Sequence, residues 1–345
     1  MTGMQGFALF RQPHAQACTF VEGEVSEWVS CVELSGRQGF VLAPFAPSVS
    51  QPVLLIAPRK VSREVPSQLP DYTVDSVPFM EEDQRADYHI DFLNFHAHLL
   101  NGDFLKLVLS RSIDVERRQP VSPLDLFRRA SDSYPRVFVS LAYTPQSGLW
   151  LTATPEVMLS CSEGTWHTMA LAGTMPFAEQ VRWGDKNIQE QRYVASYVTR
   201  QLEQFTDDFR EEGPYTTRAG HLAHLRSDFH FTLSSPSLVG RLLQALHPTP
   251  AVCGLPKQEA FRFIQQYEHH HRHFYSGFMG PLDVEGQTSL FVTLRCLQVF
   301  SNCYRLYAGG GLLKDSVEEL EWQETETKLD TMRRILDKVS LSEKG

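Results

Sequence analysis

Along the first 80 residues, apolar positions gather in short runs broken by Pro and Gly, at Phe7–Arg11, Cys18–Glu22, Trp28–Leu34, Phe40–Ala43 and Val53–Ile56. This pattern predicts strands. From Glu81 to Leu100 the period changes. Tyr88, Phe92, Phe95 and Leu99 recur every three or four positions and Gly102 follows, so a helix with one buried stripe is expected. In FLKLVLSRSIDV, Leu105, Leu107 and Leu109 alternate with Lys106, Val108 and Ser110, the two-residue period of a strand with a lysine on one face. Ser122-Pro123 opens another helix. Strands over Arg136–Tyr143 and Leu149–Ala153 lead into Thr154-Pro155-Glu156, and a strand over His167–Ala172 ends at Gly173-Thr174. A long helix is expected from Asp185, as its cap, to about Phe205. Residues 206–222, rich in Asp, Glu and Gly, read as a loop. A strand over Asp228–Leu233, a helix start at Ser235-Pro236 and a helix from Pro256 to about Tyr267 complete the middle of the chain.

The C-terminal stretch carries the densest chemistry. It reads as a strand with Arg295, a second strand ending in a turn at Gly309-Gly310-Gly311, and a helix opened by Ser316 with Glu319 as its reciprocal cap. Glu321, Glu324 and Lys328 fall on one face of that helix, beside an apolar stripe of Leu329, Met332, Leu336 and Val339. Glu190 likewise shares a helical face with Val194, Tyr197 and Val198. Carboxylates at the edge of packed core need a cation. Hairpin-like strand pairs outnumber strand-helix-strand units, which predicts α+β: a single large domain of mostly antiparallel sheets flanked by helices. Within it, residues 1–80 supply strands completing the sheets and 81–340 the core.

Composition narrows the function. The chain has 345 residues, 42% of them hydrophobic, enough for one large core. A net charge of -9 without a basic cluster argues against nucleic acid as partner. No apolar run approaches a membrane span and the N-terminus lacks a secretory layout, so the cytoplasm is the expected location. Six cysteines without a CxxC pair argue against a zinc site or a disulfide framework.

Seven segments then carry a family resemblance: KLVLSR (Lys106–Arg111), TPEVMLS (Thr154–Ser160), LAGT (Leu171–Thr174), ALHPTPAVCGLPK (Ala245–Lys257), FYSGFMG (Phe274–Gly280), TLR (Thr293–Arg295) and YAGGGLLKDSVEELEWQETETK (Tyr307–Lys328). In this order, from about residue 85 to 335, they resemble the chorismate-utilising enzymes. That family includes isochorismate synthases, salicylate synthases, and component I of anthranilate and aminodeoxychorismate synthases. HPTPAVCG is similar to the isochorismate synthase form of its turn, and Ala251 stands where ammonia-using members carry Thr.

The resemblance implies chorismate as substrate, water as nucleophile and Mg²⁺ as cofactor, with no obligatory glutaminase subunit. It implies Lys106 as base, Glu156 as acid, and Glu190, Glu324 and Glu321 around the metal. Gly173, Thr174, His224, Tyr275, Arg295, Gly309, Gly311 and Lys328 would line the substrate pocket. The chemistry agrees: water is a poor nucleophile and hydroxide a poor leaving group, so a base, an acid and a cation are all required. The sequence departs from the family at Asn187, where an outer acid is usual, at Gln191, and in a short Met175–Gly184 loop.

Simpler readings stand beside these. Alone, Lys106 would be a solvated strand lysine, Glu156 a helix-start acid, and Glu321 and Glu324 a charged helix face paired with Lys328. The run His269-His270-His271-Arg272-His273 invites a zinc reading, but consecutive residues at a helix end point around its axis. Isochorismate synthesis, for menaquinone or a siderophore, is the leading expectation. A salicylate synthase, an ammonia-using synthase and a degenerate binding module without turnover are the alternatives.

Overall fold

Every strand pairing in this computed structural model is antiparallel. The structure describes residues 4–79, 85–118, 121–178, 181–219 and 222–337. Among them, sixteen strands follow one hydrogen-bonded order, with six α-helices packed against it. This is the α+β single-domain architecture expected from the excess of hairpins.

The strands of the first 80 residues, Gln5–Arg11, Thr19–Trp28, Gly39–Ala43 and Val53–Ser62, stand in the middle of that order. One arm beyond them begins with Phe278–Leu282 and ends at the edge strand Phe209–Ala219; the other begins with Phe138–Thr144 and ends with Cys303–Leu312, Lys106–Glu116 and Gly254–Leu255. Helices Asp185–Leu202 and Val239–Leu246 cover the first arm, burying Val194, Val198, Leu242 and Leu243 against Leu159, Ala170 and Phe229. Helices Pro123–Ser133 and Glu318–Asp337 cover the second, burying Phe127, Leu329 and Met332 against Leu141, Leu151 and Leu306. Each large apolar side chain so buried contributes roughly 1.5–3 kcal/mol, so amphipathic faces fix these helices more than local propensity does. Among the described residues no helix is long and apolar enough to cross a membrane.

Several local expectations are corrected. Within the stretch expected as a loop, Phe209–Ala219 is instead an edge strand paired to Leu222–Phe231. Mostly exposed, it has no apolar face to reveal it. Cys31–Leu34 is a 3₁₀ turn capped by Ser30 and Glu33 rather than strand. Gly309-Gly310-Gly311 is not a turn but lies inside Cys303–Leu312, paired with Val108, Leu109 and Ser110. Ser316 does not cap the last helix, because its hydroxyl accepts from Leu313 N–H; Glu319 pairs instead with Arg85. Asp185 makes no side-chain cap, since the N-cap position is Gly184. The expected stripe residue Val339 lies outside the described residues. The strand Lys106–Glu116 is buried on both faces over most of its length, so Lys106 is far from a solvated strand lysine.

Candidate active site

Two glycines open the space in which the ionisable groups meet. A methyl group on Gly311 would lie 2.1 Å from Glu190 Oε1 and 2.8 Å from Lys106 Cε. One on Gly309 would lie 2.7 Å from the Tyr275 hydroxyl oxygen. Only glycine lets this strand run so close to the three side chains. Lys106, the first residue of the adjacent strand, is wholly buried, and its Nζ lies 2.9 Å from Glu190 Oε1.

Beside this strand lies a cavity of about 500 Å³, its open mouth included. Its polar wall is Glu156, Gly173, Thr174, Glu190, His224, Tyr275, Arg295, Gly309, Gly311, Glu324 and Lys328, and its apolar wall includes Val108, Leu171, Ala251, Val252 and Leu294. The residues singled out from scattered motifs thus converge. Lys106 and Glu321 are not part of the lining. Lys106 stands behind Gly311 and Glu190, while Glu321 is buried and ion-paired to Lys186.

The electrostatics follow from burial. Glu156 sits at the corner between strands Gly148–Thr154 and Val157–Ser162, not at a helix start, and its carbonyl accepts from Val292 N–H at 2.9 Å. Glu156 is 1% exposed and its Oε1 accepts no close hydrogen bond among the described residues, although the Thr249 hydroxyl lies near the carboxyl. Burial therefore pushes its pKa up to about 8, against the pull of Lys106 and Arg295. Arg295 is 7% exposed and has no ion-pair partner among the described residues; burial pulls its pKa down. A buried guanidinium fork facing a cavity calls for an anion.

His224 donates Nδ1–H to the Gly173 carbonyl at 2.9 Å. Its Nε2 is unpartnered among the described residues. Burial, aided by Arg295, pulls its pKa down to about 3, so the ring is neutral and offers Nε2 as an acceptor. Burial also pushes Tyr275 up to about 12, leaving its hydroxyl a donor.

Each glutamate expected at a metal is held by a lysine. Glu190 meets Lys106, Glu321 meets Lys186, and Glu324 meets Lys328 at 2.6 Å. Lys328 also donates to the Gly309 carbonyl at 2.7 Å. Burial tends to raise the Glu190 pKa, but Lys106 and Lys186 outweigh it and hold it low. Glu321 is raised, first by burial and further by Glu324, with Lys186 opposing. Among the described residues, no three acid, His or Cys side chains enclose an ion as they stand. The donors nevertheless suit a hard cation: all are carboxylates, and the buried Glu321 Oε2 accepts no close hydrogen bond among the described residues.

The histidine run serves the fold. Glu268 and Arg272 form a buried ion pair; Arg272 donates to the carbonyls of Val108 and Val252, both at 2.7 Å. His270 meets Ser110 Oγ at 2.8 Å and His269 pairs with Asp91. The sequence reading missed Lys186 as partner of Glu321. Its one signal was a position four before Glu190 on the same helix.

The sequence model of the family described as "Chorismate binding enzyme" matches residues 59–337. Isochorismate synthase DhbC of Bacillus subtilis is 30% identical over 84% of this chain and 76% of its own length. Isochorismate synthase MenF of Escherichia coli is 29% identical over 69% of this chain and 57% of its own. The solved structure of DhbC from Bacillus anthracis superposes with a TM-score of 0.81 at 26% identity, covering 96% of each chain. The chain thus spans from over half to three quarters of those two sequence relatives.

Proposed function

The chain belongs to the chorismate-binding enzyme family, and on that footing we propose that it is an isochorismate synthase, converting chorismate to isochorismate. Water adds at C2, the C4 hydroxyl leaves as water, and the ring double bonds shift. The observation that carries this reading is Glu156. A carboxyl with a pKa raised to about 8 is protonated at neutral pH, and its proton is what a departing hydroxide needs.

Arg295 and Tyr275 would bind the enolpyruvyl carboxylate, with a guanidinium fork and a phenol donor. Neutral His224 would accept a hydrogen bond from a ring hydroxyl. Lys106 would act as the neutral amine: once Glu190 is drawn to another cation and the ammonium has given its proton to solvent, Nζ would take the proton of the attacking water. Glu190, Glu324 and Glu321 would hold Mg²⁺. When bound, that ion supplies charge to orient and neutralise the ring carboxylate. No glutaminase partner is needed when water is the nucleophile, and the setting is cytoplasmic.

The test is turnover of chorismate with the product identified by chromatography, with and without EDTA. Isochorismate formation, lost with EDTA and restored by Mg²⁺, is the expected result. Salicylate fluorescence, or product formed only with ammonium, would replace this reading by another activity of the family.

A further inference from the structure

Three glutamates and three lysines form an electroneutral cluster, one lysine to each carboxylate. A divalent cation approaching such a cluster meets no net negative charge. It is bound well only if a lysine withdraws. The three lysines differ in how readily they can do so. The Lys106 side chain is 0% exposed. That of Lys328 is 10% exposed and tied as well to the Gly309 carbonyl. Lys186 has a side chain 30% exposed, at the start of the helix Asp185–Leu202, and its hydrogen bond among the described residues is to Glu321. An ammonium that can swing into water on a flexible stem leaves at least cost.

A second observation points to the same place. Glu321 is 2% exposed, yet its Oε2 accepts no close hydrogen bond among the described residues, although the Ser316 hydroxyl lies near the carboxylate. A buried carboxylate with an oxygen still able to accept can take a hard cation in place of the ammonium. We propose that Lys186 is a built-in counter-ion that a divalent cation displaces from Glu321, and that this lysine sets the affinity of the metal site. The inference rests on the metal reading given above. It assigns to Lys186 a positioning role: holding Glu321 ready, at a cost in affinity.

The test is calorimetric titration of Mg²⁺ and of Mn²⁺ into the substrate-free protein at pH 8, for wild type, K186M, K186R and E190Q, each with a thermal melt to verify folding. K186M is expected to bind the ions about tenfold more tightly than wild type. K186R, which keeps the charge, is expected to stay close to wild type, and E190Q to lose most of the binding. If wild type binds and E190Q does not, but K186M binds equally or more weakly, the displacement idea is overturned and the metal site stands. If none of the four proteins binds either ion, the metal reading itself falls, and this inference with it.

Discussion

Lys106 Nζ and Glu190 Oε1 stand 2.9 Å apart, the lysine wholly buried and the glutamate nearly so. Two charges out of water sustain each other, and removing one strands the other. K106M should therefore destabilise the protein by about 3–5 kcal/mol in urea denaturation, and adding E190Q should recover much of that loss. Turnover should fall at least about a hundredfold in both variants, since a proton-transfer group contributes on that order or more. Additive losses in the double variant would show that the pair is not coupled.

The glycines give a contrast within one tripeptide. At Gly311 an added methyl would meet Glu190 Oε1 at 2.1 Å, whereas at Gly310 its nearest neighbours would be Glu321 Oε2 at 3.4 Å and Glu324 Oε1 at 3.9 Å. G311A should displace Glu190 and Lys106 and reduce kcat by about a hundredfold, as small misplacements in active sites do. G310A should fold and keep activity within about tenfold, as ordinary contacts of this kind allow. Equal kcat in the two variants would refute the close approach.

If Glu156 is the acid of the proposed reaction, it sets the alkaline limb of the pH profile. With a folded pKa of about 8 and an unfolded value near 4.3, the native state binds more protons between the two. Stability contributed by this group is therefore complete below pH about 4.3 and is lost as pH rises towards 8. Turnover should fall above pH about 8 as the acid ionises. E156Q should lose turnover and flatten that part of the stability profile, measured by urea midpoints from pH 5 to 9.

His224 and His247 work in the opposite direction. Burial pulls both to about 3, below the unfolded value near 6.5. Their contribution is present above pH about 6.5 and lost as pH falls towards 3. NMR should show neither imidazole titrating between pH 8 and 5, and replacing His247 with Gln should soften the acid-side loss of stability.

Arg295 is a buried cation without an ion-pair partner among the described residues, held at a cost to the fold. R295M should raise stability by about 1 kcal/mol, since a buried charge with no acid at ion-pair distance, though Glu324 and Glu156 lie near, is replaced by an apolar side chain. The same variant should raise KM for an anionic substrate at least about tenfold. A fall in the melting temperature would show that Arg295 has a structural partner.

Much of the fold was legible because its signals are local. The buried stripe of Tyr88, Phe92, Phe95 and Leu99, all buried in the structure, announces a helix by period alone. The edge strand Phe209–Ala219 was not legible, since an edge exposed to water needs no apolar face and its Glu and Gly residues mimic a loop. Ser316 and Glu319 spelled a cap, but their side chains found better partners in Leu313 N–H and Arg85.

By itself the sequence determined most of the order of elements, the antiparallel class and the short motifs that carry Lys106, Glu156, Glu190 and Arg295. Periodicity and residue chemistry are written within a few neighbouring positions. The pair of Glu324 and Lys328, four apart on one helix, was within reach of the sequence; only the tertiary structure decided which distant charges face each other, Lys106 with Glu190 and Lys186 with Glu321. It alone decided that Glu156 is buried enough to hold its proton. Both outcomes depend on what distant segments remove from water, and desolvation is a property of the packed molecule rather than of any residue in it.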